Sequence, residues 1–176
     1  NTGGYSPNPL VGRDWSPANE IVSIADYRMR YSSYKLDDDL QRLHQQFPFI
    51  IVYDDHELAN DAWMNGAQNH QVTEGLWSSR KAMAQKAFFE WLPIRQTSAT
   101  NPYQIYRTIK YGDLLELIML DTRVEGRDLQ AGTTGATVTS SSRNLLGTTQ
   151  YNWLTNKLDV STAQWKVLGQ QVMMAP

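Results

Sequence analysis

At 176 residues the chain is long enough for one domain with a sizeable core and too short for two comfortable ones. Its 41% hydrophobic and 11% aromatic content suits a folded globular protein, and 16 basic against 18 acidic side chains leave a formal charge of -2, which excludes a global positive field for recruiting nucleic acid. The absence of cysteine excludes disulfides and thiolate metal sites, so any metal must take oxygen and nitrogen ligands, while cytosol and export stay equally open.

No apolar run approaches the roughly 20 residues that a bilayer span needs, and no signal peptide opens the sequence. The sequence starts at Asn1 and stops on Met174-Ala175-Pro176 just after an expected strand, so both ends read as edges of an excised piece. Residues 1–17 carry Gly3, Gly4, Pro7, Pro9, Gly12 and Pro17 and predict an irregular opening loop. From about Asn19 to Gln46 the spacing is helical, with Ile21, Ile24, Arg28, Tyr31 and Tyr34 on one face and Leu40, Leu43 and Phe47 on another. A break at Asp37-Asp38-Asp39 starts a second helix, capped by Asp37 or Asp38, and Phe47-Pro48 ends it. The β-prone run Phe49–Tyr53 predicts a strand, which stops abruptly at Asp54-Asp55-His56-Glu57.

Asn60, Asp61, Asn65, Gly66 and Asn69 make a polar loop of turn formers. A helix is expected from about Thr73 to Trp91, with Leu76, Met83, Ala87 and Trp91 aligned. Ile105–Tyr111 and Leu114–Leu120 predict two strands joined at Gly112-Asp113, the second ending on Asp121-Thr122-Arg123. Residues 127–147, rich in Gly, Thr and Ser, are a long aperiodic stretch, either a functional loop or disorder. A helix from Thr148 to Asp159 and a strand from Trp165 to Met173 complete the chain, and the alternation predicts an α/β layered architecture.

The acidic turn is the first candidate for chemistry. Asp54, Asp55, His56, Glu57, Asn60 and Asp61 place oxygen and imidazole donors within eight residues, the types that hard cations, iron, zinc or manganese accept. Two adjacent carboxylates repel unless a cation cancels them; the plainer reading is that such acids only cap the next helix. His56 could be a metal ligand, a proton donor to a leaving group, or a satisfied core histidine. His44 reads as solvated, and His70 as a loop residue with some prospect of touching a ligand. Arg123 could clamp a phosphate or form a local ion pair with Asp121. Arg28 and Arg30, flanked by Tyr27 and Tyr31, are weak evidence for nucleic acid and could instead reach an anion.

Taken in order, Tyr27-Arg28-Met29-Arg30-Tyr31, Tyr34-Lys35, Leu40-Gln41, His44, Tyr53-Asp54-Asp55-His56-Glu57, Asn60-Asp61, Leu120-Asp121-Thr122-Arg123, Leu146-Gly147, Gln150, Trp153-Leu154 and Trp165-Lys166-Val167-Leu168-Gly169-Gln170-Gln171 resemble the PhoD-like alkaline phosphatase/phosphodiesterase family. The resemblance implies a metallophosphoesterase-like fold with two central sheets flanked by helices. It also implies metal-dependent hydrolysis of phosphate monoesters and diesters, using iron with calcium or another divalent metal cluster. Such enzymes are usually exported, which sets the expectation of a periplasmic, cell-surface or secreted protein. The four residues Asp54 to Glu57 look like the counterpart of a Gly-Asn-His-Asp/Glu motif. By that match Asp55 is a metal ligand, with Asp54 and Asn60 as further candidates, and His56 stands beside the leaving oxygen. Arg123, Arg28 and Arg30 are the candidates to grip phosphate oxygens.

The family's early Gly-Asp motif and late Gly-Asp-x-His segment have no match here, and Tyr53 replaces a frequent Trp. Residues 1–176 are therefore expected to be the central part of one catalytic domain whose terminal parts are absent, with little metal affinity or activity alone. The partner expected is a phosphate ester, with no specific nucleic-acid binding and no membrane span. The rival reading is a non-catalytic binding or structural module that keeps the fold. A glycoside hydrolase is disfavoured, because such enzymes hold two carboxylates ~5–10 Å apart and adjacent residues in one turn rarely do.

Overall fold

The computed structural model describes residues 15–132 and 138–173. Most of the expected opening loop, the centre of the Gly/Thr/Ser stretch and the last three residues lie outside the described residues. The described chain forms four helices and one three-stranded sheet. In order they are α1 (Ile24–Lys35), α2 (Asp38–Gln46), α3 (Trp77–Trp91), β1 (Arg107–Tyr111), β2 (Leu115–Met119), α4 (Gly147–Val160) and β3 (Trp165–Gly169), with a short 3-10 turn at Val72–Glu74.

Local chemistry sets the helix starts. Ser23 and Asp26 form a reciprocal capping box at the head of α1. Asp37 caps α2 by accepting from the Leu40 amide at 2.9 Å, as its position predicts. The third helix begins at Trp77 and not near Thr73, because Gly75 takes φ 90° and breaks the turn before it.

The buried faces match those expected only in part: Ile21 and Ala87 are buried as predicted, and others are not. In α1 the buried residues are Tyr27 and Arg30, while Arg28 and Tyr34 are exposed. Leu43 of α2 and Phe47 just beyond it stay in solvent, and α3 buries Trp77, Arg80, Ala84, Ala87 and Phe88 while Leu76 is exposed. The reason is the buried Arg80, which a hydrophobic count cannot rank as core. Its guanidinium binds Glu20, Glu74, the Ile21 and Asn69 carbonyls and the Tyr27 hydroxyl, so α3 turns the face that carries it inward.

The main core packs α1 and α3 on the Tyr53–Ala67 segment, with Phe88 edge-on to Tyr53 at 5.4 Å between ring centroids. A second, smaller core joins Ile118 and Leu120 of the sheet to Leu154 of α4. The sheet order is β1-β2-β3, with β1 and β2 antiparallel and β2 and β3 parallel. Central β2 is therefore the best-buried strand.

One expected strand is not found. Phe49–Tyr53 runs without strand pairing among the described residues, and the Ile51 carbonyl instead accepts from the Arg107 guanidinium at 2.8 Å. A β-prone run becomes a strand only when a neighbouring backbone takes its N–H and C=O groups. The final strand likewise ends at Gly169, short of Met173.

The long stretch after β2 is pinched at its base. A Cβ built on Gly126 would lie 2.4 Å from the Gly147 Cα, and Gly147 has φ 68°. Asp128 and Asn144 close the same neck through two hydrogen bonds of 3.0 and 2.7 Å.

Candidate active site

The acidic turn and the end of β2 meet. Each residue of the Asp54–Glu57 motif has a separate task. Glu57 folds back to accept from the Asp54 amide at 2.7 Å, and the Asp55 carbonyl accepts from the Leu58 amide at 2.8 Å, which fixes the turn. Asp55 Oδ2 accepts from the Asp61 amide at 2.7 Å, and Asp61 sits at φ 50°, a left-handed conformation tolerated by a short polar side chain.

His56 Nε2 lies 2.7 Å from Asn60 Oδ1 and 3.7 Å from Asp55 Oδ2. Asn60 uses its Nδ2 toward Gln68 at 2.6 Å, so its Oδ1 is an acceptor and the His56 proton is assigned to Nε2.

Arg123 spans both carboxylates. Its Nε is 2.5 Å from Asp54 Oδ1 and its Nη2 is 3.3 Å from Asp55 Oδ1. The alternative of a local Asp121–Arg123 ion pair does not hold, because Asp121 takes the Arg123 backbone amide at 2.8 Å and the guanidinium goes to the turn. Asp121 itself is wholly buried, and burial raises its carboxyl pKa against the lowering effect of the Tyr53 hydroxyl and of backbone amides.

Three amide or phenol side chains that carried no assigned role in the sequence hold this strand end. Gln150 of α4 accepts from the Asp121 amide and donates to its carbonyl, both at 2.8 Å. Gln171 accepts from the Thr122 amide and hydroxyl at 3.0 and 2.6 Å and donates to the Leu120 carbonyl at 2.7 Å. Tyr53 donates to Asp121 Oδ2. A second cation, Arg127, is likewise absent from the sequence candidates: it donates to the Thr122 carbonyl at 3.2 Å. Burial first, and the like charge of Arg123, lower its pKa, while Asp61, Asp54 and Asp55 raise it. Its position four residues beyond Arg123 was the available signal.

The other candidates take other partners, although Arg30 and His44 share a cavity wall with His56. Arg28 forms a two-point bond with Glu90 at 2.6 and 2.7 Å on the surface. Arg30 turns toward the Ser16 and Pro17 carbonyls and the Trp15 ring. His44 is half-buried, stacked on Phe49 at 4.2 Å and 3.2 Å from the Lys35 ammonium, so it is not merely solvated. His70 is pinned structurally between Glu74, Trp77 and Arg80.

Asp54, Asp55 and Asn60 are poorly disposed for a cation as they stand. Asp55 and Asn60 spend oxygens on Arg123, Asp61 and His56, and Asp54 spends one on Arg123. Among the described residues no group of three or more His, Asp or Glu side chains is placed to hold a metal ion. The donor set does not fit a metal without rearrangement or additional ligands.

Fold and site together define a mixed α/β protein in which an acid-and-imidazole turn is bridged by a strand-end arginine. The PhoD-like phosphatase family profile matches residues 2–176, and the chain belongs to that family. It is 36% identical to "Alkaline phosphatase D" of Bacillus subtilis (strain 168), a match covering 97% of this chain and 31% of that protein. The solved "Structure of PhoD" superposes with a TM-score of 0.81 at 35% identity, covering 91% of this chain and 32% of that one. The chain thus spans about a third of the length of the relatives it matches.

Proposed function

We propose that these residues form part of the active site of a metal-dependent hydrolase of phosphate monoesters and diesters. The observation that carries this reading is the rim itself, where Arg123 bridges Asp54 and Asp55, His56 lies 3.7 Å from the Asp55 carboxylate, and Arg127, held on the Thr122 carbonyl, feels the charge of the same acids. Guanidinium groups suit tetrahedral oxyanions because their N–H groups match paired oxygens. Arg123 orients the non-bridging oxygens of the ester, and His56, when it carries a second proton on Nδ1, delivers that proton to the departing alcohol while Nε2–H stays on Asn60. Asn60 sets the ring orientation by holding Nε2. The resemblance adds iron with calcium, or another divalent cluster, which would supply Lewis acidity; this requires donors beyond the arrangement described above.

A second reading has one observation in its favour. Arg123 already neutralises the two carboxylates, as in a binding or structural module that keeps the fold without turnover. Hydrolysis of p-nitrophenyl phosphate and bis(p-nitrophenyl) phosphate by the full-length protein separates the two. The phosphoesterase reading expects turnover that a chelator abolishes and that His56→Ala lowers by ~10²-fold or more. Turnover absent under every metal tried, with His56→Ala indistinguishable from wild type, supports the module instead. Export to the periplasm, cell surface or medium rests on the resemblance and is checked by cell fractionation.

A further inference from the structure

A cavity of about 350 Å³ opens beside the acidic turn, between α1, α2 and the segment that leads into His56. Its walls are chiefly apolar and aromatic, from Tyr27, Tyr31, Leu40, Val52 and Phe88. Five polar side chains interrupt them: His56 and Glu57 from the turn, Arg30 from α1, and Lys35 and His44, whose Nζ and Nε2 are 3.2 Å apart. Burial raises the Tyr31 hydroxyl pKa strongly and lowers that of the Lys35 ammonium. The Tyr31 hydroxyl is also buried with no hydrogen-bond partner among the described residues.

The volume lies at the small end of the ~300–1,000 Å³ range of small-molecule sites, enough for a compact ring system and not for a polymer. Aromatic faces favour a flat apolar guest, and an ammonium beside an imidazole complements an electron-rich substituent on it. The decisive feature is that His56 belongs both to this wall and to the hydrogen-bonded rim with Asn60 and Asp55. We propose that this cavity receives the alcohol half of a phosphoester, an aromatic or similarly flat apolar group, while the phosphoryl half lies at the Arg123 rim. The proposal rests on the phosphoesterase reading and gives it a substrate class: esters of aryl or comparable alcohols over those of small alkyl alcohols.

Fluorescence titration of the protein with 2-naphthol, 2-naphthyl phosphate and inorganic phosphate tests it, in wild type, Leu40→Phe and Leu40→Trp. Leu40 is half-buried on a helix with no buried residue, so a larger side chain there fills the cavity with little cost to the core. The expected result is graded loss of naphthol and naphthyl phosphate affinity, about tenfold or more for Leu40→Trp, with phosphate affinity changed less than about twofold. Circular dichroism checks folding, and Leu40→Phe decides the matter if the Trp variant melts early. Wild type that fails to bind naphthol overturns the proposal, as do naphthol affinities indifferent to Leu40 or a parallel loss for all three ligands. Naphthol binding blocked by Leu40→Trp in a protein that hydrolyses no phosphoester leaves the aryl site standing and removes only the phosphoesterase reading. Hydrolysis with Leu40-indifferent naphthol binding removes only the cavity.

Discussion

The Tyr53 hydroxyl donates to Asp121 Oδ2 at 2.6 Å, tying the chain that enters the acidic turn to the strand end that carries Arg123. Both residues are buried, and Gln85 of α3 donates to the same hydroxyl at 3.1 Å. The other Asp121 oxygen takes the Arg123 and Val124 amides, each at 2.8 Å. A phenol with no contact to the rim thereby fixes the backbone from which the rim's cation projects. Tyr53→Phe deletes one donor to a buried carboxylate and leaves Gln85 without its acceptor. Urea unfolding is expected to show a loss of about 1–3 kcal/mol.

Asp121 sets a pH dependence of defined sign. Burial raises its folded pKa above the ordinary 3.8, so between the two values the native state binds more protons than the unfolded one. Stability therefore falls as pH rises through that window, and the ionised, buried carboxylate is least favourable above the folded pKa. Glu125, also raised first by burial and then by Asp121, acts in the same direction. Urea midpoints measured across the window should decline with pH, and Asp121→Asn should flatten the slope. An unchanged slope in that variant refutes the assignment.

Removing Arg123 exposes two adjacent carboxylates that it now bridges. Arg123→Met is expected to destabilise the protein by about 3 kcal/mol, because the largely buried Asp55 loses its counter-ion. The same change should raise calcium or manganese affinity, as a cation replaces the guanidinium. Arg123→Lys should restore stability only in part, since one ammonium cannot span both partners. Calorimetric titration reads the metal arm; a Met variant no better than wild type at binding either ion contradicts it.

Arg80 holds the core from inside. Its side chain is 0% exposed and faces Glu20 and Glu74, each at 3.0 Å. Arg80→Leu should cost about 3–5 kcal/mol by leaving carboxylates and carbonyls without a donor. Glu20→Gln with Glu74→Gln should not rescue it, because the Ile21 and Asn69 carbonyls stay bare. Thermal melts of the three proteins decide.

How far the sequence reached depended on the range of each interaction. Asp37 as a cap, Phe47-Pro48 as a stop, and the Tyr111–Leu115 hairpin are local, and each stands where its residues predict. The acidic turn was legible as a cluster, and so was the charged end of β2. Their meeting was not, because Arg123 and Asp54 lie 69 residues apart and no spacing encodes that. Arg28 illustrates the converse: it stood among the candidates to grip phosphate oxygens, and a carboxylate 62 residues away claims it. Phe49–Tyr53 shows the limit of propensity, since β-prone residues specify an extended chain but not the neighbour that would make it a strand.

The close approach of Gly126 and Gly147 brings the two ends of the intervening stretch together. Chain beyond the Asp128–Asn144 pair departs from and returns to nearly one point, so insertions or deletions between those two residues are expected to leave the span and angle of the arginine-bearing segment unchanged. Methylating either glycine, by contrast, wedges the junction apart at its tightest place. Variation among natural or engineered versions should therefore accumulate in the appendage while its two-glycine fastening stays bare.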